Sequence, residues 1–291
     1  MDDHKLADLS GFKSVITAGG IGTRLLPFSK EIPKEMSPIL VKDSNDTVLV
    51  KPIIQAIYEQ LYISGVRDFF IVVGRGKRTI EDHFTPDLGF IELLRKRGKR
   101  VQELEEFYAR LRSSNIVFVM QPEPLGFGDA VLRTKPYLDG EFLVHAGDTY
   151  IISNNHGYLD RLRKAHRKYS ADATILLQDV EDPRQFGVVT GNEIEDGVIK
   201  VREAVEKPKR PISNTAIMPV YIFKNCIFNC LSRLEPDGSG EIQLTDALHS
   251  LASQGKTVVG VKLAKDDLRL DIGSPSTLIE ALRLSSVNLE R

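Results

Sequence analysis

Three glycines in four positions follow an apolar, β-branched run near the start of the chain. Only glycine lets a backbone turn sharply while its N–H groups come close to a ligand. Such a loop can meet several phosphate oxygens at once when hydroxyl and cationic side chains stand beside it. The pattern predicts a nucleoside triphosphate as the ligand, and the candidate phosphate-binding residues are Gly19, Gly20, Gly22, Thr23, Arg24 and Lys34.

Two better-known glycine loops do not fit this stretch. A dinucleotide-binding fingerprint that starts at Gly20 would need glycine where the chain has Leu25. A Walker A loop would need Gly-Lys-Ser/Thr where the chain has Gly22, Thr23 and Arg24. A glycine-rich strand exit can also be a plain tight turn. The two nearby cations favour a phosphate site over that alternative, because a turn needs neither of them.

A carboxylate follows another apolar strand further along the chain. Asp148 comes directly after Gly147, at the end of the run that includes residues 142–144. An aspartate at the carboxyl end of a strand, near a phosphate loop, suits Mg²⁺, which prefers carboxylate, water and phosphate oxygens. Asp148 could equally be a helix cap or a turn residue. Position alone leaves both interpretations open.

A second candidate pair, Glu206 and Lys207, follows short alternating runs that predict hairpin-like strands. The carboxylate suits sugar hydroxyls and the cation suits a phosphate. Exposed Glu-Lys pairs are common, however, and they usually contribute little. The pair alone therefore does not indicate a site.

The apolar pattern around these residues predicts an α/β fold. Helical spacing over residues 51–63 separates the strand before the glycines from a strand at 69–74. This order, with a phosphate loop after the first strand, begins a parallel, doubly wound sheet whose ligands lie at the carboxyl ends of the strands. Residues 240–248 predict the start of a further helix. Ser274 and Pro275 predict the N-cap and first position of the C-terminal helix.

Length, composition and net charge limit the class of protein. The chain has 291 residues, of which 42% are hydrophobic, and a formal net charge of −1, so a nucleic-acid partner bound through a basic face is not indicated. Residues 1–5 do not begin a targeting segment, and no run reaches the length of a membrane span. We expect a cytoplasmic protein with no membrane partner. No linker or repeat divides the chain, which predicts one domain over residues 1–291.

The stretch from Ala18 to Pro27, followed by Pro33-Lys34-Glu35-Met36, resembles the signature of the sugar-1-phosphate nucleotidyltransferases. The second part is most similar to the bacterial and archaeal UTP:glucose-1-phosphate uridylyltransferases. The resemblance spans about residues 13–285 and includes five ordered motifs. It implies a Rossmann-like, mixed but mostly parallel central sheet flanked by helices. It also implies a nucleotide-binding half at about 11–150 and a sugar-binding and C-terminal half at about 151–291.

The resemblance also implies a role for each site residue. Beside the glycine loop, the nucleotide would be bound by Ala18, Gln121 at the uracil edge and Gly126 against the ring. The implied sugar contacts are Gly187, Glu206 and Asn214, and the implied ligands of Mg²⁺ are Asp148 and Asp271. The implied catalytic cations are Arg24 and Lys34 on the triphosphate and Lys207 on the sugar phosphate.

The implied reaction joins UTP and glucose 1-phosphate to give UDP-glucose and pyrophosphate by Mg-assisted in-line attack. Two alternatives stay open. One is thymidylyl or guanylyl transfer on the same fold, and the other is a non-catalytic sugar-nucleotide-binding regulatory subunit. The charged stretch at residues 90–112 predicts an amphipathic helix or helical pair, which makes a homo-oligomer, a dimer or tetramer, the expected state.

Overall fold

The computed structural model describes residues 7–43 and 46–289. Residues 1–5, on which the predicted cytoplasmic location partly depends, lie outside this part. Its strands are β1 Lys13–Ala18, β2 Pro38–Lys42, β3 Val48–Pro52, β4 Asp68–Gly74, β5 Asn115–Gln121, β6 Glu141–Ala146, β7 Thr149–Ile152, β8 Ala173–Asp179, β9 Gly187–Glu195, β10 Val198–Glu206, β11 Thr215–Lys224, β12 Val258–Lys262 and β13 Leu268–Asp271. Its α-helices are α1 Ile53–Ile63, α2 Arg78–His83, α3 Leu88–Lys96, α4 Gln102–Arg112, α5 Gly126–Leu132, α6 Gly157–Lys168, α7 Cys226–Leu231, α8 Leu244–Ser253 and α9 Pro275–Asn288.

A nine-stranded sheet forms the centre of the fold, in the order β5-β4-β1-β6-β11-β8-β12-β10-β9. The first four of these strands are parallel to one another. β11 is antiparallel to β6 and β8, and β10 is antiparallel to β12 and β9. The sheet is therefore mixed, and seven of its strands run in one direction. β9 also pairs with β11, so the sheet curls back on itself at that end.

Helices cover both faces of this sheet. Side chains alternate between the faces along each strand, so neighbouring Val15 and Ile16 belong to different apolar clusters. The cluster around Ile16 includes side chains of α1, α6 and α9. The cluster around Val15 includes side chains of α5, α7 and α8. The predicted α/β fold with helices on a mixed central sheet is confirmed.

Most of the predicted elements occur within a few residues of their expected bounds. The charged stretch is a helical pair, α3 and α4, and Ser274 caps α9 by accepting a hydrogen bond from Thr277 N at 3.3 Å. The helix predicted from Gly240 is wrong at its start, because α8 begins only at Leu244. Gly240 has φ +82°, and Ile242 N donates instead to the Leu125 carbonyl oxygen at 2.8 Å, which holds this segment as a loop.

Over residues 7–43 and 46–289, no helix has both the length and the apolar character that a membrane span requires.

Candidate active site

The carboxyl ends of β1, β5 and β6 meet at one edge of the sheet because these strands lie in its parallel part. A cavity of about 320 Å³ opens there, directly over the glycine loop that follows β1. The loop after β5 and the turn after β6 form two of its walls. The predicted site residues that line this cavity are Gly19, Gly20, Gly22, Thr23, Arg24, Lys34, Gln121, Gly126 and Asp148. Ala18 is buried at the end of β1, just behind the loop.

Gln121 closes one end of this cavity with a fixed amide. Its Nε2 donates to the Gly126 carbonyl oxygen at 3.0 Å and to Asp129 Oδ2 at 2.9 Å. Its Oε1 faces Gly19, where a Cβ would lie only 2.0 Å from it, so no larger residue fits there without displacing the amide. With both amide hydrogens engaged, Oε1 remains an acceptor for a ligand N–H.

Lys34 lies against the glycine loop, where a Cβ on Gly20 would lie 3.7 Å from the Lys34 Nζ. Its Nζ lies 2.5 Å from Asp148 Oδ2, and both side chains are partly buried. Burial alone would lower the pKa of Lys34, but the carboxylates of Asp148 and Glu35 outweigh burial and raise it. Burial alone would raise the pKa of Asp148, but the Lys34 ammonium outweighs burial and lowers it. The pair is therefore ionised at neutral pH, with a positive charge at the mouth of the loop.

A small antiparallel ribbon brings the two predicted metal-binding aspartates together. β13 pairs with β7 so that Asp271 lies opposite Thr149, and Ile272 N donates to the Asp148 carbonyl oxygen at 2.9 Å. Burial, followed by the charge of Asp148, raises the pKa of Asp271. Thr149 Oγ1 lies 3.4 Å from Asp148 Oδ1 and 3.5 Å from Asp271 Oδ1.

This arrangement fits a divalent cation. Mg²⁺ is commonly held by one or two protein carboxylates while substrate phosphates and water complete its coordination. Two neighbouring carboxylates, one of which has its pKa raised by burial and then by the charge of the other, form a donor set of that kind. In the part of the chain that the structure describes, there is no larger His, Cys, Asp or Glu group suited to a metal. Asp148 and Asp271 are a pair of side chains with the chemistry to hold such an ion.

The turn that carries Lys34 is anchored by a buried ion pair. Lys34–Met36 forms a single 3₁₀ turn, and Glu35 within it is 1% exposed. Glu35 Oε2 accepts a hydrogen bond from Lys77 Nζ at 2.9 Å. Lys34 and Glu35 both line the cavity, and the bond to Lys77 fixes the turn that carries the Lys34 side chain. Burial, opposed by the charges of Lys77 and Lys34, raises the pKa of Glu35.

A second group of predicted residues lies where β9 and β10 pair. Gly187 and Glu206 are directly paired across these strands, and Lys207 Nζ lies 3.2 Å from Glu206 Oε1. Lys207 has φ +37°, a left-handed backbone conformation that costs a non-glycine residue about 1 kcal/mol. Its N–H donates to the Phe186 carbonyl oxygen at 3.0 Å, which holds the chain in this conformation. Asn214 is exposed just before β11, which pairs with β9.

Three residues in these surroundings had no individual predicted role, although the resemblance implied that the segment with Glu241 and Thr245 borders the sugar. Glu241 lines the cavity beside Gly126. Lys77 anchors Glu35, and Thr245 Oγ1 donates to Glu206 Oε2 at 2.6 Å. The Lys77–Glu35 contact joins side chains 42 positions apart in the chain, and the Thr245–Glu206 contact joins side chains 39 positions apart. Helical or strand periodicity carries no signal for pairings of that kind.

Comparison with known proteins decides the family. Residues 13–286 match the model of the nucleotidyl transferase family. The chain belongs to this family. The match covers both the cavity over the glycine loop and the Glu206 cluster.

Named relatives of this nucleotidyl transferase share most of their length with it. A UTP–glucose-1-phosphate uridylyltransferase of Pseudomonas aeruginosa is 34% identical over 275 residues, which cover 92% of this chain and 94% of the relative. The enzyme of the same name, YngB, of Bacillus subtilis is 35% identical over 266 residues, with 90% and 84% covered.

Two solved structures are similar to this chain over most of their length. A UDP-glucose pyrophosphorylase complexed with UDP-glucose superposes with a TM-score of 0.82 at 30% identity, covering 95% of this chain and 99% of that one. An apo UDP-glucose pyrophosphorylase superposes with a TM-score of 0.83 at the same identity and coverage. The resemblance that the sequence motifs indicated is confirmed.

Proposed function

We propose that this nucleotidyl transferase moves a uridylyl group from UTP to glucose 1-phosphate, giving UDP-glucose and pyrophosphate. The observation that carries the proposal is the meeting of the glycine loop and the Lys34–Asp148 pair around one cavity, with the Asp271 carboxylate close to Asp148. The names of the relatives that share its length, with the reaction those names state, support the same activity.

In this proposal the base is read by Gln121. Its free Oε1 accepts the N3–H that uracil presents, whereas cytosine and adenine have no ring N–H at the corresponding edge. Thymine has the same N3–H, so this contact does not separate UTP from dTTP. The backbone near Ala18 and Gly126 flanks the base, and the N–H groups of the glycine loop with Thr23 meet the phosphates.

The chemical step brings two anions together. An oxygen of the sugar phosphate attacks the α-phosphorus in line, a new P–O bond forms, and the bond to the pyrophosphate oxygen breaks, so no covalent enzyme intermediate is needed. The protein supplies position and charge neutralisation. Arg24 and Lys34 face the triphosphate, and Lys207 faces the attacking phosphate. Glu206 and the backbone of Gly187 beside it hold the sugar, and Asn214 supplies a further contact to it.

Asp148 and Asp271 hold Mg²⁺ in this proposal, and the ion when bound neutralises phosphate charge. Lys34 then has two tasks. Its ammonium balances Asp148 in the absence of ligands, and it would be available to the phosphates if a divalent ion neutralised the carboxylates. Without ligands, the cavity therefore does not contain two partly buried carboxylates that both lack a nearby positive charge.

The organisation of the chain is part of the proposal. The nucleotide would occupy a half at about residues 11–150 and the sugar a half at about 151–291 of one domain. Self-association into a dimer or tetramer would use α3, on which Leu88, Phe90 and Leu93 are exposed. Light scattering of the purified protein measures this state, and cell fractionation measures the proposed cytoplasmic location.

The direct test is pyrophosphate release with glucose 1-phosphate and UTP, dTTP or GTP in turn. We expect the highest kcat/KM with UTP, and Asp148→Asn should lose most of that activity. A preference for dTTP or GTP would show that the nucleotide is wrongly assigned. No release with any combination of nucleotide and sugar 1-phosphate would support a regulatory binding protein instead.

A further inference from the structure

Glu206 is held by a hydroxyl group from a different part of the fold. Thr245 Oγ1 donates to Glu206 Oε2 at 2.6 Å, while Glu206 Oε1 lies 3.2 Å from Lys207 Nζ. Thr245 is 6% exposed, so little water competes for this bond. A carboxylate at the end of three rotatable bonds would otherwise sample several orientations. Here each oxygen has its own partner, so the orientation of the carboxylate is defined before any ligand arrives.

Gly187 shows how closely these groups approach one another. A Cβ at Gly187 would lie 2.6 Å from Thr245 Oγ1 and 2.9 Å from Glu206 Oε2. Even a methyl group would therefore push into the hydroxyl–carboxylate bond. The backbone of Gly187, the hydroxyl of Thr245 and the carboxylate of Glu206 form one contact of three groups.

Thr245 is itself held in place by the fold. It lies in the first turn of α8, between Leu244 and Ala247, which are buried in the core. Just before this helix, Ile242 pairs with the loop that carries Gly126. Its N–H donates to the Leu125 carbonyl oxygen at 2.8 Å, and its carbonyl oxygen accepts from Gly128 N at 2.8 Å. The hydroxyl therefore comes from a fixed helix end.

We propose that Thr245 is a positioning residue for the sugar, which orients the Glu206 carboxylate so that its remaining lone pairs face the sugar hydroxyls. The inference rests on the proposed function, because it assigns Glu206 to the sugar. It adds a residue that touches neither phosphate nor base. Removing the Thr245 hydroxyl should weaken use of the sugar phosphate and leave use of the nucleotide intact.

The test compares Thr245→Val, which keeps the shape, with Thr245→Ser, which keeps the hydroxyl. Loss of a hydrogen bond to a charged group predicts that Thr245→Val raises the KM for glucose 1-phosphate roughly tenfold. The KM for UTP should stay within about twofold of wild type. Thr245→Ser should restore the KM for glucose 1-phosphate to near wild type. A merely structural role would alter both KM values together and would not separate them.

Thr174→Val is a matched control. Thr174 is also fully buried, and its hydroxyl lies 2.8 Å from His166 Nδ1. It lies near the start of β8, which runs in the same direction as β1, so it is at the edge of the sheet opposite the glycine loop. This variant should keep both KM values near wild type. A rise in the KM for glucose 1-phosphate in Thr174→Val as large as that in Thr245→Val would contradict the inference.

Deoxy sugars identify the hydroxyl that Glu206 binds. Glucose 1-phosphate and its 2-deoxy and 3-deoxy forms are compared with wild type and Thr245→Val as a double-mutant cycle. We expect the rise in KM caused by Thr245→Val to shrink by about the same tenfold factor for the form that lacks the bound hydroxyl.

Two outcomes separate the inference from the proposed function. If the wild-type protein turns over glucose 1-phosphate and Thr245→Val has an unchanged or lower KM for it, the inference alone is overturned. A wild-type protein that releases no pyrophosphate overturns the proposed function, and the inference with it.

Discussion

At the scale of single residues, the Lys34 ammonium lies close to the carboxylates of Asp148 and Glu35. Its contact with Asp148 at 2.5 Å and the raised pKa of Lys34, in which two carboxylates outweigh burial, both follow from that position. The sequence motif correctly placed Lys34 beside the glycine loop and the aspartate at the end of a strand. It could not show that they contact each other, because they are 114 positions apart.

We predict that Lys34→Met lowers kcat/KM for UTP roughly 10² to 10³-fold, because a fixed cation on the triphosphate stabilises charge in the transition state. Pyrophosphate release measures the loss. Lys164→Met is the matched control, since the Lys164 side chain is 69% exposed on α6 and lies 2.7 Å from Asp160, away from the cavity. Equal rates for Lys34→Met and Lys164→Met would show that Lys34 does not act on the phosphates.

Asp271→Asn should change activity and stability in opposite directions. Burial and Asp148 raise the pKa of Asp271, so its charged form is unfavourable in the metal-free fold, and a neutral amide removes that penalty. Thermal unfolding without metal should therefore show a slightly higher midpoint. The Mg²⁺ concentration for half-maximal activity should rise about tenfold or more. The exposed Asp266→Asn should alter neither quantity, and unchanged Mg²⁺ dependence in Asp271→Asn would remove Asp271 from the metal site.

At the scale of elements, a single 3₁₀ turn carries Lys34, and its geometry depends on the Glu35–Lys77 ion pair. So short an element has little stability of its own. The buried pair ties it to the loop after β4. The Pro-Lys-Glu-Met motif indicated that this turn matters, but its buried partner could not be read from local pattern.

Lys77→Met should destabilise the protein by about 3–5 kcal/mol, because it leaves the Glu35 charge buried without a partner. Urea unfolding measures this loss. Adding Glu35→Gln to that variant should recover much of it, since the unpaired charge is then gone. Arg78→Met, next in sequence with a side chain that is 86% exposed, should change the free energy of unfolding by less than about 0.5 kcal/mol. A double variant no more stable than Lys77→Met would contradict this account of the pair.

Helix starts show where local pattern fails. Ser274 and Pro275 predicted the start of α9 correctly because capping is decided by neighbouring residues. The predicted start at Gly240 was wrong because the backbone N–H of Ile242 donates to a loop that is distant in the chain.

The ribbon of β7 and β13 was not predicted, because it too depends on pairing between distant segments of the chain. Tertiary pairing brings together Asp148 and Asp271, which are 123 positions apart in the chain.

At the scale of the whole molecule, the parallel part of the sheet explains why distant motifs share one cavity. Strand order and the phosphate loop after the first strand were enough to predict that edge. The return of β9 to β11, which shapes the Glu206 cluster, follows from pairings across the sheet that the sequence does not specify. The fold class was therefore predictable, while the geometry of the sugar end was not.

Global stability should fall on the acid side because β6 buries a histidine. Burial lowers the pKa of His145 to about 4, while the unfolded chain keeps a value near 6.5. The unfolded state therefore binds the proton first, and stability is lost as pH falls from 6.5 to 4. Between pH 7.5 and 5 this histidine should contribute about 2 kcal/mol of that loss.

Urea unfolding of wild type and His145→Gln at both pH values measures this contribution. The variant should lose about 2 kcal/mol less than wild type over the interval. The exposed His249→Gln should follow wild type. Identical losses in all three proteins would show that His145 does not carry the acid sensitivity.

A crystal structure with UDP-glucose and Mg²⁺ tests the central claim most directly. We predict the phosphates over the glycine loop, the uracil N3–H on Gln121, the ion between Asp148 and Asp271, and the glucose hydroxyls on Glu206. Phosphates bound elsewhere, with Asp148 directed away from them, would contradict the account.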